Sequence, residues 1–245
     1  MSKTRARAAV AVLLLTLLMS SGCAATVPAS EVGLDPSATP FPAAPVRMPS
    51  AGETAPASVP APVIVTIGDS IMAGYGLDPG EDWPTLLADR TGVPVTNLAC
   101  SGAGFIADGD CGSDFAGLID AAIAAHPTMV ILQSSDNDDG QSDADLDNAA
   151  MTTVVALRAA LPDARIVGLS TLWNQPYDAP DEIVSSTIAL QTAVDAVGGT
   201  FVDIGQPLQN GQDLMQFDDE HPTAAGQQVL LDAITSALAG AGIYV

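Results

Sequence analysis

The stretch Val63-Ile64-Val65-Thr66-Ile67-Gly68-Asp69-Ser70 joins a run of apolar and β-branched residues to a Gly-Asp-Ser turn. Such an unbroken run is typical of a strand that is buried on both faces of a sheet. Gly and Asp directly after the run indicate a turn. We therefore expect Ser70 to lie just beyond the carboxyl end of a buried strand, where open α/β sheets bind their ligands.

The same alternation of apolar runs and helical patterns continues to the end of the chain. Strands are predicted at residues 63–67, 94–98, 128–134, 165–170 and 200–204. Helices are predicted at residues 83–91, 114–125, 144–161, 181–197 and 223–240. Because strands alternate with helices, the fold class is α/β, and a sheet of continuous apolar strands needs helices on both faces. The sequence predicts a three-layer α/β/α sandwich with a five-stranded parallel sheet over residues 63–245.

The first 62 of the 245 residues precede this domain and have a different composition. Residues 1–22 have the pattern of a signal peptide, because basic residues precede an apolar run, residues 8–19, that is short for a bilayer span. Residues 23–62 are rich in Ala, Pro, Ser and Thr, which predicts an extended linker. We expect the protein to be exported.

Cys23 follows Ser20-Ser21-Gly22, and this segment resembles a bacterial lipobox, although Ser20 stands where leucine is usual. The resemblance implies that Cys23 carries a lipid and that the protein is a cell-membrane lipoprotein facing outward. Simple cleavage nearby, which would make a secreted protein, and an uncleaved anchor are the alternatives.

Three cysteines in an exported chain leave one odd unless Cys23 has a separate fate. Cys100 and Cys111 then remain, on either side of Gly102-Ala103-Gly104. A disulfide between them would brace this loop in an oxidising compartment, and the alternative is a pair of buried free thiols.

The charge balance is strongly acidic, with 29 acidic residues against seven basic ones. Loss of residues 1–22 would remove three of the seven, which leaves a net charge of about −25. Such a surface repels nucleic acid, so no nucleic-acid partner is predicted. Asp143-x-Asp145-x-Asp147 lacks the glycine and the glutamate of a calcium loop, so no metal site is predicted either.

Ser70 and His221 each lie in a short motif that suits nucleophilic catalysis. A serine hydroxyl needs a base to accept its proton, and the base needs an acid to orient it. In Asp218-Asp219-Glu220-His221-Pro222, a carboxylate three residues before the histidine can accept the Nδ1 hydrogen and leave Nε2 facing a serine. Asp218 has that spacing. Each motif taken alone is also compatible with a turn that caps a helix.

Four sequence blocks occur in an order that resembles one protein family: Gly68-Asp69-Ser70, residues 97–102, Ser135-Asp136-Asn137-Asp138 and residues 218–222. In this order they resemble the SGNH/GDSL-type serine hydrolases, an esterase and lipase family with a flavodoxin-like fold. The resemblance implies a catalytic triad of Ser70, His221 and Asp218. It also implies an oxyanion hole formed by the Ser70 and Gly102 N–H groups and the Asn137 amide.

The third block departs from the family pattern Gly-x-Asn-Asp, because Ser135 stands where the glycine is expected. If that position requires a positive φ, Ser135 is strained or the loop differs.

These observations predict an exported serine esterase that hydrolyses carboxylic esters through an acyl-serine intermediate and needs no cofactor. One alternative substrate is an O-acetyl group on envelope polysaccharide or peptidoglycan. A non-catalytic binding lipoprotein is the alternative of another class. The substrate is thus a small ester or an acylated glycan, and the sequence decides neither its identity nor the oligomeric state. Trp173, Tyr177 and Phe217 either line its pocket or anchor packing.

Overall fold

The computed structural model describes residues 62–174, 179–209 and 211–245. Residues 1–61, which contain the predicted signal peptide, Cys23 and nearly all of the linker, lie outside these ranges, as does Tyr177. Five strands form one sheet: β1 (Ile64–Ile67), β2 (Val95–Asn97), β3 (Met129–Gln133), β4 (Arg165–Leu169) and β5 (Thr200–Val202). All pairs are parallel, in the order β2-β1-β3-β4-β5. The predicted α/β fold is confirmed.

Six α-helices connect or follow these strands within the described ranges: α1 (Ser70–Ala73), α2 (Trp83–Thr91), α3 (Ile119–Ala124), α4 (Asp143–Ala160), α5 (Asp181–Ala196) and α6 (Ala224–Gly240). None of them is both long and apolar enough to cross a bilayer. The helix predicted at 114–125 is shorter than expected, because it begins as a 3-10 turn at Ala116–Leu118. There the Gly117 N–H donates to the Asp114 side chain, so the chain turns before the α-helix starts.

The central strands β1, β3 and β4 are buried on both faces, which explains their continuous apolar sequences. In β1, Val65 and Ile67 belong to a core cluster that includes residues of α3, α4 and α5. Ile64 of the same strand belongs to a second cluster that includes residues of α1, α2 and α6. Successive side chains of a strand point to opposite faces, so β1, β3, β4 and β5 contribute to both clusters, whereas the edge strand β2 contributes Val95 to the second. The helices therefore form two layers with the sheet between them.

The strand order places a switch point between β1 and β3. β1 lies between β2 and β3, so the chain leaves β1 toward one side of the sheet and continues from β3 toward the other. A crevice forms at the carboxyl ends of the two strands where the direction of winding reverses. Ser70 follows β1 and Asn137 follows β3, so the topology brings both to this crevice.

Candidate active site

Ser70 is the first residue of α1, a helix that the sequence patterns did not predict because it has only four residues. Asp69 caps this helix: its Oδ1 accepts a hydrogen bond from the Ile71 N–H at 3.0 Å. Gly74 ends the helix with a φ of 72°, which favours glycine. The turn between strand and helix thereby holds the Ser70 hydroxyl in a buried position at the edge of the crevice.

His221 and Asp218 complete a continuous chain of hydrogen bonds to Ser70. His221 Nε2 lies 2.9 Å from Ser70 Oγ, although the two residues are 151 positions apart. His221 Nδ1 lies 2.8 Å from Asp218 Oδ2. The other carboxylate oxygen, Oδ1, accepts the backbone N–H groups of Glu220 and His221, both at 3.1 Å. The three-residue spacing thus lets one carboxylate fix both the turn and the imidazole ring.

These hydrogen bonds also set the charge state of Asp218. Desolvation alone would raise the pKa of the carboxyl group, but the hydrogen bonds from the His221 N–H, the His221 ring and the Glu220 N–H together hold it below its ordinary value. Asp218 is therefore an ionised acceptor at neutral pH. An ionised acceptor at Nδ1 favours the tautomer that carries its proton there and leaves the Nε2 lone pair facing Ser70.

Tyr75 is a residue of the site that sequence reasoning did not identify. Its ring lies against the His221 imidazole, with 4.5 Å between the ring centroids, and about half of the residue is exposed. Its position five residues after Ser70 was the available signal, since a one-turn helix folds that residue back over the site. Phe217, next to Asp218, is 98% exposed and packs little against the domain. Phe217 is therefore available to a substrate and is not a packing anchor.

Among the hydrogen bonds of the described residues, the backbone N–H groups of Ser70 and Gly102 have no protein acceptor. Gly102 has a φ of 80°, a backbone conformation that residues with a side chain rarely adopt. There is space for a Cβ at this position, because it would meet only Gly109 Cα, at the ordinary contact distance of 3.6 Å. The need for glycine at 102 is therefore one of backbone conformation. The Asn137 amide completes this group from the β3 side, with Nδ2 at 3.1 Å from the Ala103 carbonyl oxygen.

A disulfide joins Cys100 and Cys111, with 5.9 Å between their Cα atoms. It closes the loop that contains Gly102, so free thiols at these positions are not what the structure shows. Asp138 also holds this loop in place, a role that the sequence patterns did not identify. Its buried carboxylate accepts the N–H groups of Phe105, Ile106 and Ala107 at 2.7, 3.0 and 2.9 Å. The loop after β2 is thereby fixed to the loop after β3.

Ser135 does not adopt the strained conformation that its place in a glycine position suggested. Within the described residues, only His126 and Asp219 combine a side chain with a positive φ. Ser135 is buried, and its hydroxyl makes three hydrogen bonds, one to Asp69 and two to Asn137. The loop after β3 therefore accepts a serine without backbone strain.

Asp136, between Ser135 and Asn137, is a weaker acid than an ordinary aspartic acid side chain. Burial, followed by the nearby charges of Asp69 and Glu220, raises the pKa of the Asp136 carboxyl from 3.8 to about 7. The folded protein thus holds a proton that the unfolded chain has lost between pH 4 and 7. Stability should therefore decrease as the pH rises through this range and level off above it.

Asp136→Asn should abolish this part of the pH dependence, because asparagine mimics the protonated acid at every pH. We expect the variant to be more stable than the parent by up to about 4 kcal/mol at pH 8 and nearly equal to it at pH 4, since each pKa unit corresponds to about 1.4 kcal/mol. Urea unfolding at the two pH values measures this. An equal effect of the substitution at both would contradict the assignment of the titrating group to Asp136.

Comparison with known proteins places this geometry in a family. Residues 66–229, about two thirds of the sequence, match the GDSL-like Lipase/Acylhydrolase family. No curated protein matches the sequence significantly. Among solved structures, TesA is 24% identical with a TM-score of 0.59, over 72% of this chain and 97% of TesA.

Two further solved structures are similar at lower identity. A psychrotrophic esterase EstA from Pseudoalteromonas sp., inhibited by monoethylphosphonate, is 21% identical with a TM-score of 0.58, over 73% of this chain and 97% of EstA. A family two carbohydrate esterase from Clostridium thermocellum in complex with cellohexaose is 18% identical with a TM-score of 0.58, over 74% of this chain and 64% of that enzyme. These likenesses show the shared fold, and the family match extends from β1 into α6. The protein thus belongs to the GDSL-like lipase/acylhydrolase family and is a hydrolase that acts on ester bonds.

Proposed function

We propose that the protein is an exported serine esterase in which Ser70 is the nucleophile, His221 the general base and Asp218 the orienting acid. The observation that carries this assignment is the unbroken chain of hydrogen bonds from Ser70 Oγ through both ring nitrogens of His221 to Asp218 Oδ2. Such an arrangement activates a hydroxyl that is otherwise a weak nucleophile at neutral pH.

The reaction follows from the positions of these groups. Ser70 Oγ attacks the ester carbonyl carbon while His221 Nε2 accepts the hydroxyl proton. When the tetrahedral intermediate collapses, the bond to the alcohol oxygen breaks and His221 returns the proton to the leaving alcohol. Water then attacks the acyl-serine with the same proton transfers, which releases the carboxylic acid and restores Ser70. Asp218 stabilises the imidazolium that forms in each half of the reaction.

The negative charge of the tetrahedral intermediate needs donors that are in place before the reaction. We assign this role to the backbone N–H groups of Ser70 and Gly102 and to the Asn137 side-chain amide. Two of these donors are fixed by braces on the loops that carry them: the disulfide closes the Gly102 loop, and Asp138 links that loop to the one that carries Asn137.

The charges near the triad favour an uncharged substrate. Asp69, Asp136 and Glu220 interact electrostatically with one another or with His221. The described basic residues are elsewhere: Arg90 pairs with Asp232 of α6, Arg158 donates to carbonyls around residues 161–164, and Arg165 starts β4 at the opposite edge of the sheet. An anionic substrate would meet these acidic groups and the ionised Asp218 without a compensating cation. Neutral esters are therefore the expected class.

Export and anchoring through Cys23 are the remaining part of this proposal. The pattern of residues 1–22 supports export, and the disulfide supports it independently, because such bonds persist mainly in oxidising compartments. The linker of residues 23–62 would then separate the domain from the membrane.

A second candidate keeps the same residues but hydrolyses O-acetyl groups on envelope glycans. It is favoured by the uncharged nature of such esters and by the predicted export. The likeness to carbohydrate esterases of known structure is consistent with it. Acetate release from acetylated xylan and peptidoglycan, compared with hydrolysis of neutral acyl-chain esters, separates the two candidates. Only a clear preference for glycan acetate would favour the second.

The test of the nucleophile is covalent labelling with a fluorophosphonate, followed by peptide mass spectrometry. We expect stoichiometric modification of Ser70 in the folded protein and none after heat denaturation, because the attack requires the assembled triad. Ser101, in the loop after β2, serves as an internal control and should remain unmodified. Folded protein that gains no label at Ser70 would favour the binding lipoprotein instead.

A further inference from the structure

Ser135 makes more hydrogen bonds near the candidate site than a glycine at that position could. The residue is 1% exposed and lies two residues after the end of β3. Its Oγ lies 2.7 Å from Asp69 Oδ2, 2.8 Å from Asn137 Nδ2 and 3.1 Å from the Asn137 backbone nitrogen. One hydroxyl thus contacts two segments that are 66 residues apart in sequence.

The directions of these bonds follow from the groups involved. Both Asn137 groups are donors, so they occupy the two lone pairs of Ser135 Oγ. The hydroxyl proton is then donated to Asp69 Oδ2, and the hydrogen-bonding capacity of Ser135 is completely used. A hydroxyl without a free lone pair or proton has no alternative rotamer of equal energy, so its position is fixed.

Asp69 connects this hydroxyl to the start of α1. Its second oxygen, Oδ1, caps the helix whose first residue is Ser70. Burial raises the pKa of Asp69, and the hydrogen bond from Ser135 opposes this effect. Without Ser135, the buried Oδ2 would lose the one side-chain donor that the described residues give it.

The Asn137 amide is held in a similar way from the other side. Its Nδ2 has two hydrogens, and the acceptors within reach are Ser135 Oγ and the Ala103 carbonyl oxygen. Both are neutral, whereas a bond to a negatively charged oxygen is roughly twice as strong. An oxyanion can therefore take a share of one hydrogen while the other keeps the amide in place. The amide does not have to rotate during the reaction.

We propose that Ser135 is a positioning residue that ties the Asp69 cap of α1 to the Asn137 amide, so that two of the three oxyanion donors keep a fixed relative position. This inference rests on the proposed function, because it assigns Ser135 a role in that same oxyanion hole. Ser135 does not contact the substrate, and it acts through Asn137 and through the turn that carries Ser70.

Steady-state hydrolysis of p-nitrophenyl acetate by Ser135→Ala tests the proposal. We expect kcat to decrease roughly 10- to 100-fold with KM within about 2-fold of the parent, because transition-state stabilisation is lost and ground-state binding is not. Ser134→Ala is the matched control: Ser134 is equally buried, but its hydroxyl contacts Ser186 and none of the catalytic groups. Its kcat should stay close to that of the parent. If Ser135→Ala does not fold, Ser135→Gly removes the same hydroxyl.

A double-mutant cycle with Asn137→Ala separates positioning from a general structural effect. In the Asn137→Ala background, Ser135→Ala should cost much less than in the parent, because the group that it positions is already absent. Equal losses in the two backgrounds, or an unchanged kcat for Ser135→Ala alone, would overturn the inference and leave the proposed function intact. An unchanged kcat for Asn137→Ala would instead contradict the oxyanion hole itself.

Discussion

Ser70→Ala should reduce kcat for p-nitrophenyl acetate by a factor on the order of 10⁴ to 10⁶, with the fold intact. The hydroxyl is the atom that forms the acyl-enzyme, and nothing else on α1 can replace it. His221 and Asp218 would remain in place but would have no proton to accept from an alcohol. The residual rate would then reflect only substrate binding and oxyanion stabilisation. Purified variants measured under identical conditions give this ratio.

Ser170→Ala provides the control for this loss. Ser170 is also buried and also follows a strand at the carboxyl edge of the sheet, but its hydroxyl bonds to Asp203 and the Ile204 N–H. We expect loss of the Ser170 hydroxyl to decrease the free energy of unfolding by about 1 kcal/mol and to change kcat very little. Activity retained by Ser70→Ala, after mass spectrometry has excluded contaminating parent enzyme, would rule out the acyl-serine mechanism.

The sequence predicted the sheet well because its central strands are buried on both faces. In a chain as acidic as this one, an apolar run such as residues 128–134 indicates a buried segment. The observed β3 lies within that range. Boundaries were less accurate where they depend on turns. α1 escaped prediction because a helix of four residues has no periodicity, and its existence depends on the Asp69 cap and Gly74.

The candidate triad could be proposed from spacing, because Asp218 reaches His221 through a local turn whose geometry the three-residue offset nearly determines. Contacts between distant loops could not be proposed from the sequence. The bond from Ser135 to Asp69 and the three N–H groups that Asp138 accepts join segments more than 30 residues apart, and only the folded sheet brings them together. A departure from a family pattern, here Ser135, was the one sequence signal for such a contact.

Asp218→Asn should cost less than the loss of the nucleophile but still on the order of 10³- to 10⁴-fold in kcat. Asparagine has almost the same shape, so the turn can still accept the Glu220 and His221 N–H groups through its side-chain oxygen. Its NH₂ group would then face His221 Nδ1 as a donor. This stabilises the tautomer with the proton on Nε2, which cannot accept the Ser70 proton. The imidazolium also loses the charge that stabilises it.

Glu220→Gln is the matched control, since it removes one negative charge from the same turn without altering the Nδ1 partner. The two variants therefore separate the loss of local charge from the loss of the orienting acceptor. We expect Glu220→Gln to remain within about 3-fold of the parent, because an exposed charge contributes little to a well-formed hydrogen-bond relay. If both substitutions reduced kcat equally, the charge of the turn would explain the effect. Asp218 would then not be the residue that orients His221.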